Sequence, residues 1–490
     1  MVATLLIGGC SSSKQEQAKA PAATPEPDLP PAPELTLPEE LRGLIDQPFS
    51  GDLDGMIDRR FIRAGVPFSR TYYFVDKGVP RGLSYEYLML FEKELNKKKR
   101  KGQADTHVVL LPMPRDQLLP SLNSGKLDLV VAQLTITPER QKLVDFSEPT
   151  RRNVDEVVVT GPGQPALTMA EELSGKQVFV RKASSYYASL QALNATLKQS
   201  GKPPVEITEA SESLEDDDIL EMVNAGLVPA TVVDNYLAEF WKKVFTDLTI
   251  NNTATLRTNG SLAVAFRKNS PVLAKEINGF IGKHGIDSAM ARMLDQRYLE
   301  STRYVKNATS EAERKKFSVM LDFFKKYGDR YDFDYLMMGA QGYQESRLDQ
   351  NARSHVGAIG VMQLMPETGA EQKVGDILKL EPNIHAGVKY MRYIRNQYFE
   401  SEAMDDINKA LFTFAAYNAG PNRMQALRRE AEKRGLDKNV WFGNVERITS
   451  ERIGRETVTY VSNIYKYYLA YKLLTEQNAR RQEAKEEVKK

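Results

Sequence analysis

The sequence predicts an α/β unit followed by an all-α unit in one chain, and three observations carry that prediction. Between about residues 57 and 300, strand-like and helix-like segments alternate, the pattern of a sheet with helical crossovers and largely parallel strands. From about residue 308 strand signals stop and helical ones follow one another. At 490 residues the chain is long enough for about three folded units, and 41% hydrophobic against 27% charged residues is the balance of a globular protein with real cores.

The strands expected in the first unit are Val108–Leu111, Leu127–Ala132, Glu156–Thr160, Gln177–Val180, Thr231–Val233 and Leu262–Phe266, with helices over Tyr85–Leu95, Ser185–Gln199 and Ile219–Ala225. The second unit reads as helices over Glu311–Lys326, Asp334–Ser346, Ile384–Gln397, Asp405–Ala419 and Glu456–Leu474. Residues 11–45 are rich in Ala, Pro, Glu and Ser, cannot bury enough apolar surface to fold, and read as a semi-extended tether. Residues 476–490 form a charged tail. The basic run Lys97–Lys101 and the acidic run Glu215–Asp218 read as solvated loops, since neither is interleaved with aromatics.

Composition excludes several chemistries. A net charge of +2 gives no reason to expect nucleic-acid binding. One cysteine rules out an internal disulfide, a four-cysteine zinc site and an iron–sulfur cluster. Four scattered histidines without HExxH spacing exclude a zincin, so neither metal nor cofactor is expected. The cysteine, Cys10, follows a short apolar run and Leu6-Ile7-Gly8-Gly9. This resembles a bacterial lipobox within residues 1–10, in which the cysteine is acylated. The run is too short to span a bilayer, so acylation would supply an anchor rather than a span. Ser11 is compatible with outer-membrane sorting, on the periplasmic face.

In the helical unit, Glu345 falls in the last turn of a helix whose apolar stripe is Leu336, Ala340 and Tyr343. The negative end of the helix dipole and partial burial both raise a carboxyl pKa there, the condition for an acid kept protonated until it is used. Asn418 lies one turn after Phe414 beside a Gly420-Pro421 stop, and Gly357 and Gly360 allow a backbone to approach a bulky ligand. Alone, each feature has an ordinary reading as a turn or a cap. Taken together, Gln344-Glu345-Ser346, Ser354, Gly357-Ala358-Ile359-Gly360-Val361-Met362-Gln363, Ala416-Tyr417-Asn418-Ala419-Gly420 and Glu456-Thr457 with Tyr460-Val461 closely resemble the soluble-lytic-transglycosylase family, which has the goose-type lysozyme fold (glycoside hydrolase family 23).

That resemblance implies a catalytic domain over residues 305–475, with Glu345 as the sole acid/base for cleavage of the β-1,4 bond between N-acetylmuramic acid and N-acetylglucosamine. Ser354, Met362, Gln363, Tyr417, Asn418, Glu456 and Tyr460 match the family's substrate-cleft positions. Most glycosidases need two carboxylates. Here the muramoyl C6 hydroxyl supplies the nucleophile, and 1,6-anhydromuramic acid ends result. Asp349, the nearest spare carboxylate, reads as a turn former, and His355 as a surface residue.

In the first unit, Gly82-Leu83-Ser84-Tyr85-Glu86, Gly125-Lys126-Leu127-Asp128, Leu134-Thr135-Ile136-Thr137-Pro138-Glu139-Arg140 and Val144-Asp145-Phe146-Ser147-Glu148-Pro149 resemble family 3 extracellular solute-binding proteins and the ligand-binding core of ionotropic glutamate receptors. The resemblance implies a two-lobed regulatory domain over 57–300, with lobe 1 at 57–155 and 255–300 and lobe 2 at 156–254. Arg140 would grip an α-carboxylate in a bidentate pair, helped by Thr135. Ser184 and Ser185 would donate at a helix start, Asp234 would take the ammonium, and Tyr73 would supply an aromatic wall. An ordinary alternative for Arg140 is a surface arginine paired with Glu139 or Asp145.

The order of lipobox, solute-binding-like domain and transglycosylase domain resembles membrane-bound lytic transglycosylases. The expected partners are therefore peptidoglycan, an amino-acid or muropeptide ligand and an outer-membrane lipid anchor. Two alternatives remain: a catalytically weak peptidoglycan-binding sensor, and a lysozyme-like hydrolase of the same fold.

Overall fold

A computed structural model describes residues 39–76, 79–302, 311–454 and 456–487. Cys10, the lipobox, most of the expected tether and the domain junction near residue 305 lie outside the described residues.

The first unit is built on strands β1 (Phe61–Val66), β2 (His107–Pro112), β3 (Leu129–Thr135), β4 (Arg151–Thr160), β5 (Gln177–Arg181), β6 (Glu206–Ala210), β7 (Ala230–Asp234) and β8 (Thr249–Phe266). A mixed sheet runs β7–β4–β8–β3–β1–β2, and β5 pairs with β6 separately. The expectation of largely parallel strands holds only locally. β1 is parallel to β2 and β3, as β5 is to β6, but β8 is antiparallel to both β3 and β4, and β4 to β7. The reason is the hinge. β4 and β8 run from one lobe into the other, and β8 slips register repeatedly against β4, which bends this long strand between the lobes.

Lobe 1 packs helix α1 (Leu83–Lys97) on one face of its strands, with Leu88, Phe91 and Leu95 against Ile62, Val108 and Leu110. Lobe 2 has its own core, in which Leu190, Leu193 and Leu197 of α2 (Ser185–Gln199) meet Val158, Val178 and Val232. Beneath lobe 1, Asp128 is fully buried among arginines. Its carboxylate accepts from the Arg63 backbone N–H at 2.7 Å and the Arg63 guanidinium at 3.0 Å, also pairs with Arg59, and lies 3.6 Å from Arg267. Burial pushes the Arg59 pKa down to about 10.

The acidic run Glu215–Asp218 is not a solvated loop. Asp216–Asn224 is helix α3, and the run is buried at its start. It is compensated by cations from three other parts of the chain. Arg115 of lobe 1 is 2.8 Å from Glu215, and Arg181 of β5 pairs with Asp216. Arg70 of lobe 1 lies 3.1 Å from Asp217 and 3.0 Å from Asp218, and Lys466 of the helical unit lies 3.1 Å from Asp218. None of these partners is near in sequence, which is why local charge pattern misplaced the run. Lys97–Lys101 does sit at the exposed end of α1.

After α4 (Pro271–His284) the helical unit follows: α5 (Glu311–Tyr331), α6 (Tyr335–Ser346), α7 (Leu380–Tyr398), α8 (Asp406–Ala419), α9 (Pro421–Lys433) and α10 (Glu456–Glu487). The last helix continues well past the expected end at Leu474. α6 is central, packed by α5 and α10. A Cβ at Gly339 would lie 2.3 Å from the Phe317 ring, so glycine lets α5 approach this closely. The end of the expected tether and the residues just after it are docked rather than free. Ile45 is buried, its carbonyl and that of Gln47 accept from Arg63, and Asp46 pairs with Arg434 (3.3 Å) and Arg447 of the helical unit.

Candidate active site and ligand cavity

Helix α6 ends at Ser346 because Arg347 and Leu348 take left-handed φ values of 56°. Ser346 Oγ donates to the carbonyls of Gly342 (3.2 Å) and Val361 (3.0 Å), tying the helix end to the glycine-rich loop. Glu345 therefore stands in the last turn, as its sequence position implies. Burial pushes its pKa up to about 7, and the hydrogen bond from Tyr460 pulls it down. Tyr460 of α10 donates its phenol proton to Glu345 Oε1 at 2.6 Å. The phenols facing Glu345 are Tyr460 and, from α8, Tyr417; both have pKa values raised by burial and then by the Glu345 charge.

Other family-matched residues hold the frame. The Tyr417 hydroxyl donates to the Met362 carbonyl at 2.7 Å, and its ring tilts against Tyr390 at 5.5 Å. Met362 itself is fully buried and packs at Gly387, so its side chain belongs to the core, and its carbonyl rather than its thioether meets Tyr417. Gln363 adopts φ 43° and donates to the Gly360 carbonyl at 2.8 Å. Ser354 Oγ accepts the Ala358 N–H at 2.9 Å, closing the turn that leads to Gly357 and Gly360. Asn418 Oδ1 accepts from Thr457 at 2.7 Å, joining α8 to the first turn of α10. Glu456 is exposed in that turn. Asp349 accepts from the Asn351 N–H at 2.9 Å, which makes it a turn former, and His355 is exposed.

Two organising residues escaped sequence reasoning. Asn383 is fully buried, accepts the Met362 N–H at 2.9 Å and donates to the carbonyls of Ile359 (2.9 Å) and Ile377 (3.1 Å), which fixes the loop under Glu345. A Cβ at Gly360 (φ 76°) would lie 2.6 Å from this amide. Gln341, one turn before Glu345, is fully buried and donates to the Tyr460 hydroxyl at 3.3 Å. The available signal was spacing, because residues i and i+4 share a helix face.

Between the lobes lies a cavity of about 270 Å³ that gathers Thr135, Arg140, Ser184, Ser185 and Asp234. Tyr73 is not in its wall. That expectation is corrected: Tyr73 is buried in the lobe 1 core, 5.3 Å from the Phe68 ring, and its neighbour Tyr72 lines the cavity instead. Tyr73 is held in an antiparallel bridge to Ser69, and side chains of successive extended residues point to opposite sides. The Tyr72 hydroxyl is 2.6 Å from that of Tyr236 in the other lobe.

Arg140 is neither a surface residue nor paired with Glu139 or Asp145. Its guanidinium donates to the carbonyls of Thr135 (3.0 Å) and Ala183 (3.1 Å), and burial lowers its pKa to about 10. Thr135 Oγ1 and Ser185 Oγ, from opposite lobes, are 3.2 Å apart. Ser184 caps α2, accepting the Tyr187 N–H at 3.2 Å. Asp234 is buried with Oδ1 unpartnered, and burial, then the charges of Asp216 and Glu156, push its pKa up to about 8. Among the described residues no cluster of His, Cys, Asp or Glu could hold a metal ion, and no helix is long and apolar enough to cross a membrane.

Two separate stretches of the chain match known families. Residues 62–300 match the model of bacterial extracellular solute-binding proteins, family 3, and residues 322–440 match the transglycosylase SLT domain. A relative from Desulfosudis oleivorans, named membrane-bound lytic murein transglycosylase F, is 27% identical, covering 81% of this chain and 86% of its own. One of the same name from Ectopseudomonas mendocina is 28% identical, covering 87% of this chain and 88% of its own. Among solved structures, an ancestral arginine-binding protein bound to arginine aligns at 24% identity and a TM-score of 0.40, over 49% of this chain and 98% of that one.

Proposed function

We propose that this chain, which joins a family 3 solute-binding domain to a transglycosylase SLT domain, is a lytic murein transglycosylase that cleaves the β-1,4 bond between N-acetylmuramic acid and N-acetylglucosamine. The observation that carries the reading is the desolvated carboxyl of Glu345, held near neutrality and bonded to Tyr460. A carboxyl with a pKa near 7 is populated in both forms at neutral pH, so one group can give a proton and then take one. In the first step Glu345 protonates the glycosidic oxygen as its bond to muramoyl C1 breaks. In the second, the Glu345 carboxylate removes the C6 hydroxyl proton as that oxygen bonds to C1. The products are an N-acetylglucosamine hydroxyl and a 1,6-anhydro end, and Glu345 is again protonated. Asp349 accepts a hydrogen bond within its own loop, and the nucleophile in this reading is the C6 hydroxyl of the substrate. Mass spectrometry of digested sacculi tests this directly. Anhydromuramoyl ends are expected, and reducing ends would make the enzyme a lysozyme-like hydrolase.

The interlobe cavity reads as a regulatory site for a free amino acid or a muropeptide. Arg140 from one lobe matches an α-carboxylate, and the unpartnered Asp234 oxygen from the other matches an ammonium. The route to the active site is physical. α3 of lobe 2 is bonded through Asp218 to Lys466, on the helix that also carries Tyr460. Ligand binding that shifts the lobes as rigid bodies therefore pulls on α10, and raised turnover is the expected response. Arg140→Ala should weaken the ligand by about tenfold to a hundredfold, the scale of a lost charge-assisted pair, and abolish the response while sparing basal cleavage. Calorimetry beside a turnover assay reads both quantities, and unchanged affinity would remove Arg140 from the site.

The finer localisation is an acyl anchor at Cys10 that holds the protein on the periplasmic face of the outer membrane, supported by the lipobox-like Leu6-Ile7-Gly8-Gly9-Cys10. Cys10→Ser should then move the protein from the membrane to the soluble periplasmic fraction. Persistence of the variant in outer-membrane fractions would overturn the anchor.

A further inference from the structure

Gln341 occupies a position where an apolar side chain would be expected. It is fully buried beneath the active site, one turn before Glu345 on α6. Its Nε2 lies 3.3 Å from the Tyr460 hydroxyl and 3.6 Å from Met391 Sδ, while Oε1 is buried without a partner. Burying a carboxamide half-satisfied is unfavourable, so the core gains nothing from it that a methionine or leucine would not supply. What it adds is a donor to two atoms, Met391 Sδ and the oxygen of Tyr460, and of these the Tyr460 oxygen is the one bonded to Glu345.

That oxygen carries a single proton and faces two groups, Gln341 Nε2 at 3.3 Å and Glu345 Oε1 at 2.6 Å. An amide nitrogen can only donate. With an N–H on its lone pair, the phenol has its own proton left for Glu345. We propose that Gln341 is a positioning residue for the transglycosylase reaction: its amide N–H commits the Tyr460 proton to Glu345 whenever Glu345 is a carboxylate. The inference rests on the reading of Glu345 as acid and base. The carboxylate exists between the two proton transfers, after the proton has gone to the glycosidic oxygen and before the C6 hydroxyl returns one. Stabilising it there lowers the barrier of the first step without touching substrate. The titratable groups facing Glu345 are Tyr460 from α10 and Tyr417 from α8, with Tyr390 of α7 behind Tyr417.

Gln341→Met keeps the volume and removes the N–H. Its kcat on peptidoglycan should fall about two- to tenfold, the scale of one hydrogen bond, with KM unchanged. Because the carboxylate loses support, its proton affinity rises, and the alkaline fall of kcat should move up by about half a pH unit. Carbon-13 NMR titration of the Glu345 carboxyl should show the same upward shift without substrate. In a Tyr460→Phe background Gln341→Met should cost nothing more. Gln341→Asn, whose amide is too short to reach Tyr460, should behave like Gln341→Met. An unmoved titration, an additive loss in the Tyr460→Phe background, or failure of both variants to fold would each overturn the proposal, the last by making the amide structural. If the wild type yields no anhydro product, the reading of the reaction fails instead, and the NMR titration still decides the role of Gln341.

Discussion

Glu345→Gln is expected to lower sacculus solubilisation by at least about a hundredfold to ten-thousandfold, the range for general acid–base catalysis, while binding to peptidoglycan and the melting temperature stay near wild type. The amide has the shape of the acid but can neither protonate the glycosidic oxygen nor accept the C6 hydroxyl proton. On the proposed mechanism one residue performs both transfers, so no second carboxyl shares the loss. The wild-type pH profile should carry the same signature. Glu345 is raised to about 7 by burial, and the first step needs its protonated form. Turnover should therefore fall about tenfold per pH unit above that value, with half the plateau near pH 7. The sign for stability is opposite to that of an ion-paired acid. A raised folded pKa means that the native state binds this proton more tightly than the unfolded chain. Its contribution is greatest below the unfolded value of a glutamate and is lost as pH rises through about 7. A variant that retained near-normal solubilisation would eliminate Glu345 as the acid.

The largest stability effect is expected at Asp128. Asp128→Ala leaves Arg63, fully buried, with Arg59 and Arg267 beside it and no carboxylate between them. Removing one partner of a buried ion cluster typically costs about 3–5 kcal/mol. Here the carboxylate also accepts the Arg63 backbone N–H, so the junction of β1 and β3 loosens with it. Hydrogen exchange in these strands, beside denaturant unfolding, should report the loss in lobe 1. The Arg63 guanidinium also holds the carbonyls of Ile45 and Gln47, so the strap that reaches the helical unit through Asp46 should loosen too. A change below about 1 kcal/mol, the scale of an exposed pair, would show that the arginines find other acceptors.

At Glu345 local pattern and family resemblance point the same way, whereas at Arg140 the local pattern reads as a surface arginine and only the resemblance places it in a site. The i, i+4 partner of Glu345 is not legible, since Gln341 acquires meaning only when α10 brings Tyr460 within 3.3 Å. Tyr72 and Tyr73 illustrate the same limit at one-residue resolution. Adjacent extended residues face opposite ways, and only the bridge to Ser69 decides which tyrosine enters the cavity.

The sequence by itself determined the two fold classes in their order and the helix that ends just after Glu345, because periodicity, caps and motif spacing are properties of neighbouring residues. Only the tertiary structure decided the rest. It buried the acidic run Glu215–Asp218 instead of solvating it, by bringing Arg70, Arg115, Arg181 and Lys466 to it from other parts of the chain. It docked Ile45, at the end of the segment that composition assigned to a tether, and supplied the burial that raises the Glu345 pKa. In each case the deciding partner is far away in sequence. The energy of a buried charge depends on which opposite charges and donors the fold places within a few ångströms, and local pattern carries no record of them.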